Sequence, residues 1–258
     1  MNIFKPVGLD ELCDTIQTVC GNPYPYKIAG IKPPHLAIGI DPGNGRTTIL
    51  EYISDMYKEN GVIDFTGGIA DYAEITLDGT LQQLDSSIET VKNSADYTNG
   101  VFKGVVGIDA TKLSGHQNEL QSKKFESFFE DLADSAVIVF FTPVDMTVAE
   151  LRYTDKIKSK LDDVIDFGNY VYTDMDYAEI VMRFFENSGV DFARSELMTN
   201  TLVSSINTFG IDSVPKAIKL AKSLIIMADY SGSVPSISDK QISEYCKSKS
   251  ISVDGRRI

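Results

Sequence analysis

The sequence predicts an α/β fold, a doubly wound five-stranded parallel sheet followed by a helical C-terminal subdomain, and three observations predict it. From His35 to Phe167 short apolar runs alternate with longer amphipathic stretches, the pattern of strands joined by crossover helices. The first apolar run ends in a Pro-Gly-Asn-Gly turn, Pro42–Gly45, that leads directly into helix-forming residues. After Tyr170 the strand signals stop and only helical periodicity remains.

The expected strands are Leu36–Ile40, Ala73–Leu77, Gly104–Asp109, Ala136–Thr142 and Val164–Phe167. Helices are expected between them at Thr47–Asn60, Leu81–Ser94, Asn118–Ala133 and Thr147–Leu161, each with apolar residues three and four apart. In the third helix Phe125, Phe128, Phe129 and Leu132 form one apolar stripe, which reads as a core-facing surface. Beyond Tyr170, Tyr177–Asn187, Arg194–Thr208 and Val214–Asp229 read as three helices separated by Gly189 and Gly210, with a weaker one at Asp239–Lys249. These elements divide the chain into residues 1–172, an α/β subdomain, and 173–258, a helical lid with its tail.

Composition narrows the function. The net charge of −13 opposes docking on phosphate backbones, and the Lys216, Lys219, Lys222 stripe reads as a solvated helix face. Nucleic acid is therefore not an expected partner. Cys13, Cys20 and Cys246 form no CxxC pair, and only His35 and His116 could join them, so neither a disulfide framework nor a metal cluster is expected. Cys13 and Cys20, seven apart, read as two positions on one buried helical face. No apolar run is long enough to span a bilayer and Met1–Asp10 lacks the build of a signal peptide, which predicts a cytoplasmic protein with no membrane partner.

The chemistry concentrates where the first strand meets its helix. In Leu36–Thr48 a strand, a Gly-rich loop and a helix start follow one another, the context in which backbone N–H groups and the positive helix end cradle phosphates. Against the phosphate-loop pattern G-x-x-x-x-G-K-S/T, Gly45 and Thr47 fall in place. Ile40 stands where the first Gly belongs, and Arg46 replaces the Lys with a bulkier planar fork. Pro42, Gly43, Asn44, Gly45, Arg46, Thr47 and Thr48 are thus the expected phosphate-binding residues. Thr47 could offer a hydroxyl to Mg²⁺, and Asp109, ending the third strand, could hold the same ion through water. Ala110 then occupies the position where a Glu would activate the attacking water, so no catalytic base is assigned.

From Val7 to Asp229 these residues resemble the AAA+ ATPases, in particular the branch of red-type Rubisco activase and the stage V sporulation protein K ATPases. The resemblance opens at Val7-Gly8-Leu9-Asp10, similar to a Gly-Leu segment that contacts adenine, and implies a contact from Gly8 and Leu9. It continues through Pro42–Thr48 and Gly107-Ile108-Asp109-Ala110. It implies a polar sensor at Thr142 and places Lys160 where an arginine would act on a neighbouring subunit's phosphate. Ser213 replaces the lid's sensor arginine, and Asp78-Gly79-Thr80-Leu81 lacks the aromatic pore-loop residue. The implied cofactors are ATP or ADP with Mg²⁺, and the implied partners are proteins, including other AAA+ subunits, in a homo- or hetero-oligomer.

Five departures, Ile40, Arg46, Ala110, Lys160 and Ser213, fall at nucleotide-handling positions while the apolar skeleton is kept. The expectation is a nucleotide-binding module with a degraded hydrolysis site that serves as a scaffold or regulatory subunit. Two alternatives stand beside it: an active ATPase remodeller with unorthodox residues, in which Asp41 or Glu74 positions water, and a structural interaction domain that binds no nucleotide.

Overall fold

A computed structural model describes residues 8–62, 72–76, 81–93, 97–98, 101–102, 104–109, 119–133, 136–145 and 164–254. The chain divides into two compact units, Met1–Val171 and Tyr172–Ile258.

In the first unit the strands are β1 (His35–Gly39), β2 (Tyr72–Thr76), β3 (Tyr97–Thr98), β4 (Val101–Phe102), β5 (Val105–Asp109), β6 (Val137–Thr142) and β7 (Val164–Asn169). Five of them form a parallel sheet in the order β2-β5-β6-β1-β7, and β3 pairs with β4 in a small antiparallel hairpin. The helices of this unit are α1 (Asp10–Cys20), α2 (Tyr24–Lys27), α3 (Arg46–Glu59), α4 (Leu81–Lys92) and α5 (Glu119–Ala133). The α/β class and the five-stranded parallel sheet expected from the sequence are therefore present, with strand ends shifted by one or two residues.

The near-continuous apolar runs of β1, β5 and β6 follow from burial on both faces. On one face Val106, Ile108, Ile138, Phe140 and Ala37 pack with Phe125, Phe129 and Leu132 of α5 and with Leu84, Ile88 and Val91 of α4. The aromatic stripe read from the sequence thus faces the sheet: Phe129 lies 5.8 Å from Phe125 and 5.9 Å from Phe140, ring centre to ring centre. On the other face α3 lies against β5. Gly107 permits this, because a Cβ there would collide with the Leu50 side chain. Behind α3 lies α1, whose buried Leu12, Cys13, Ile16 and Cys20 form the apolar face that the cysteine spacing suggested. The Tyr52 hydroxyl donates to the Cys13 carbonyl at 3.1 Å and the Asn60 amide to the Gly21 carbonyl at 2.7 Å, which fixes the pairing of the two helices.

The second unit contains α6 (Asp174–Asn187), α7 (Glu196–Phe209), α8 (Val214–Ile226) and α9 (Asp239–Asp254). The first of these begins three residues before Tyr177 because Thr173 and Asp176 form a reciprocal capping box. Ser195 caps α7, accepting from the Met198 amide at 3.2 Å, and Gly210 ends it in the left-handed conformation at φ 57°. Beyond α8 the chain pairs Asp229 with Ser236 through two backbone hydrogen bonds of 2.7 and 3.0 Å. That closes the turn before α9. Met198, Leu202, Ile206, Ala217, Leu220, Ala221 and Leu224 supply the buried positions of α7 and α8. No described helix is long and apolar enough to cross a membrane.

Candidate functional site

The sheet order brings the C-terminal ends of β5, β6 and β1 side by side, the edge at which open α/β sheets bind ligands. The parallel registers place Asp109 beside Phe141, and Gly39 beside Thr142. The Ile40 amide donates to the Thr142 carbonyl at 2.9 Å, extending the pairing one residue past β1. The chain then turns. The Asn44 amide donates to the Asp41 carbonyl at 3.2 Å, and Gly43 and Gly45 adopt φ of 84° and 89°, values that side chains disfavour. Gly45 is the N-cap of α3 and supplies no capping side chain, so the first-turn amides at the helix's positive end receive no cap from it.

Arg46, the first residue of α3, is buried, with 5% of its side chain exposed. Its guanidinium is turned inward across the strand ends. Nε and Nη2 donate to the Ile40 carbonyl at 2.9 and 2.5 Å, while Nη1 lies 2.8 Å from Asp109 Oδ1. The Phe141 ring closes the arrangement, its centroid 5.5 Å from the guanidinium carbon. A planar fork can serve a carbonyl and a carboxylate together; a lysine ammonium in this place would be a single point charge on a flexible stem.

The remaining expected residues are spread over different surroundings. Pro42, Gly43 and Thr47 are exposed, Asn44 is buried, and Gly45 and Thr48 are half-buried. Thr142 is buried at the end of β6, beside the loop. Gly8 and Leu9 are both buried; Gly8 adopts φ 76°, and its carbonyl accepts the Tyr170 hydroxyl at 2.6 Å. Lys160, Ala110, the Asp78–Thr80 stretch, the expected helix Thr147–Leu161 and the Glu74 side chain lie outside what is described. Ser213 is the N-cap of α8 in the second unit and makes no side-chain capping bond.

Strongly perturbed proton affinities lie elsewhere, in the contact of α1, α2 and α3. Burial raises the pKa of the Tyr57 hydroxyl, with Cys20 and Tyr26 beside it, and pushes Tyr52 up to about 12. Burial likewise raises Cys20 and Tyr26. Among the described residues the Tyr57 hydroxyl makes no hydrogen bond of ordinary geometry, and its ring meets Tyr26 edge-on at 6.2 Å. This is a core cluster, set apart from the loop. Among the described residues no group of His, Cys, Asp and Glu is arranged to hold a metal on its own.

A cleft of about 690 Å³ lies in the second unit between α7 and α9, lined by Asn200, Thr201, Ser204, Ser205, Ser243 and Cys246 among others. Its hydroxyls are largely spent internally. Thr201 and Ser205 donate to the carbonyls four residues back, at 2.8 and 2.7 Å, and Cys246 Sγ lies 3.0 Å from the Ser205 hydroxyl. Converging groups favour the loop at the sheet edge over this cleft. The lysine stripe of α8 is also partly engaged: Lys216 pairs with Asp212 at 2.7 Å, and Lys222 lies 6.0 Å from the centre of the Phe184 ring.

No protein-family model and no curated protein sequence matches the chain. Solved structures do. Domain III of the Thermotoga maritima replication initiation protein DnaA superposes with a TM-score of 0.57 at 15% identity, covering 96% of this chain and 94% of that one. A point variant of Thermotoga maritima RuvB gives a TM-score of 0.57 at 16% identity, covering 95% of this chain and 72% of that one. The T. maritima RuvB described as a Holliday junction branch migration motor gives 0.51 at 15% identity, covering 88% of this chain and 66% of that one. At such identities the likeness establishes the fold, that of the AAA+ P-loop domain.

Proposed function

We propose that this chain is a nucleotide-binding module of the AAA+ type with a degraded hydrolysis site, acting as a scaffold or regulatory subunit of a protein assembly. The observation that carries the loss of hydrolysis is the inward turn of Arg46, whose cation is engaged by Asp109 and the Ile40 carbonyl. Hydrolysis needs that cation on the transferred phosphate and an acid next to the metal-side Asp to activate water. Here the cation is occupied and the acid is replaced by Ala110.

Binding asks less of the site than turnover does. The loop between β1 and α3 retains Gly43 and Gly45 in the left-handed region and a helix end without a capping side chain. The amides of Gly43 and of Gly45 to Thr48 are the groups that would hold the phosphates of ATP or ADP. Thr142 is the proposed polar neighbour at the end of β6, and Gly8 and Leu9 the proposed adenine contact. Lys160 is proposed as a weakened trans-acting cation. The branch of red-type Rubisco activase and the stage V sporulation protein K ATPases is the proposed affiliation, supported by the order of Gly8-Leu9, Pro42–Thr48 and Gly107–Ala110 along the chain. Protein partners, including other AAA+ subunits, are preferred to nucleic acid because of the net charge of −13.

A specific observation also favours the reading without nucleotide. The Ile40 side chain is fully buried where a glycine would leave the loop freer. Melting temperature decides between the two. ADP at saturating concentration raises it if nucleotide binds the folded state, by roughly RT ln(1 + [L]/Kd) in free energy; an unchanged value at millimolar ADP supports the structural domain.

A further inference from the structure

We infer that the Arg46 guanidinium takes the place of the divalent cation in this site, so that the loop accepts the phosphates of an adenine nucleotide without Mg²⁺. The inference rests on the nucleotide-binding reading above and specifies it. In this fold class the carboxylate ending the third sheet strand of the chain order holds the metal through water. That residue is Asp109, and its Oδ1 is 2.8 Å from Arg46 Nη1. The residues present therefore do not fit a Mg²⁺ ion.

The fork is held from three directions. Asp109 takes one nitrogen, the Ile40 carbonyl takes two, and Phe141 lies 5.5 Å from the guanidinium carbon. A divalent ion placed beside Asp109 would meet a fixed positive charge one hydrogen bond away, in a site where only 5% of Arg46 and 16% of Asp109 is exposed to screening solvent. Thr47, the other expected metal contact, is solvent-exposed and follows Arg46 directly on α3. Metal ligation by Asp109 thus competes with its ion pair to Arg46.

The test is equilibrium binding of labelled ATP and labelled ADP to the full chain, each in Mg²⁺ and in EDTA, for the wild type and for Arg46→Lys. The wild type is expected to bind each nucleotide with dissociation constants that agree within about threefold with and without Mg²⁺. Arg46→Lys, which cannot hold Asp109 and Ile40 together, is expected to bind ATP at least about tenfold more tightly with Mg²⁺ than without. Wild-type binding that tightens about tenfold or more on adding Mg²⁺ overturns the inference and leaves nucleotide binding standing. Absence of binding in both conditions overturns the nucleotide reading and the inference with it. If Arg46→Lys melts as an unfolded chain, the wild-type comparison decides alone.

Discussion

Arg46 Nη1 and Asp109 Oδ1 lie 2.8 Å apart, joining the first residue of the helix after β1 to the last residue of β5 across the end of β6. The pair exists because the parallel register sets Asp109 beside Phe141 and because Ile40 leaves its carbonyl pointing at the same guanidinium. It is a structural contact and, in the proposed reading, an obstacle to turnover.

Breaking one side of this pair strands the other. Arg46→Met removes the cation but keeps an apolar stem of similar reach, taking from the mostly buried Asp109 its ion pair. We expect a loss of about 2 kcal/mol in urea unfolding, below the roughly 3–5 kcal/mol of a fully buried pair because Asp109 keeps some solvent contact. Adding Asp109→Asn to Arg46→Met should recover about half of that loss. Equal stability of the single variant and the wild type contradicts the pairing.

Gly107 sets the distance between α3 and the sheet. Gly107→Ala places a methyl against Leu50 and is expected to cost about 1–3 kcal/mol, as overpacking does. Leu50→Ala should be costly alone yet couple favourably with Gly107→Ala, giving a non-additive cycle by chemical denaturation. Strict additivity contradicts the contact.

The second unit offers a cap to test. Thr173→Ala removes the hydroxyl that accepts from the Asp176 amide and should destabilise α6 by about 1 kcal/mol. Asp176→Ala should cost a similar amount, and the double variant less than the sum, because the two side chains serve each other.

Alkaline pH should unfold this protein through α1–α3. Tyr52, Tyr57, Tyr26 and Cys20 all hold their protons more tightly when folded than when exposed. Between the ordinary pKa and the folded one, the unfolded chain therefore binds fewer protons and stability falls as pH rises. The stabilisation is complete below the thiol's ordinary value of 9.0, and the tyrosines add their loss from 10.0, with Tyr52 continuing to about 12. Tyr57→Phe should flatten this decline in denaturation measured from about pH 8 upward. At neutral pH it should change stability by less than about 1 kcal/mol, because the buried hydroxyl meets Cys20 and Tyr26 but makes no hydrogen bond of ordinary geometry among the described residues.

Much of the fold was legible because burial on both faces makes β1, β5 and β6 read as apolar runs, and because Phe125, Phe129 and Leu132 repeat at helical spacing. The β3–β4 hairpin was not, since strands of two residues carry no period. The start of α6 was missed because its signal is a cap, Thr173 with Asp176, and not an apolar position. At the site, sequence placed the loop and named Arg46, Asp109 and Thr142, but it treated Arg46 as a lysine substitute directed at phosphates. Its inward turn depends on the neighbourhood of β5, β6 and β1, a long-range strand order that local residues do not encode. Phe141 and the Ile40 carbonyl become neighbours of the Arg46 guanidinium only through that order.

Purified chain incubated with γ-labelled ATP, with bound nucleotide and released phosphate followed in the same samples, tests the central claim most directly. The account predicts saturable binding with the label recovered as intact ATP over many hours. Steady phosphate release that tracks the bound fraction would show that the Arg46–Asp109 pair opens for catalysis and would contradict it.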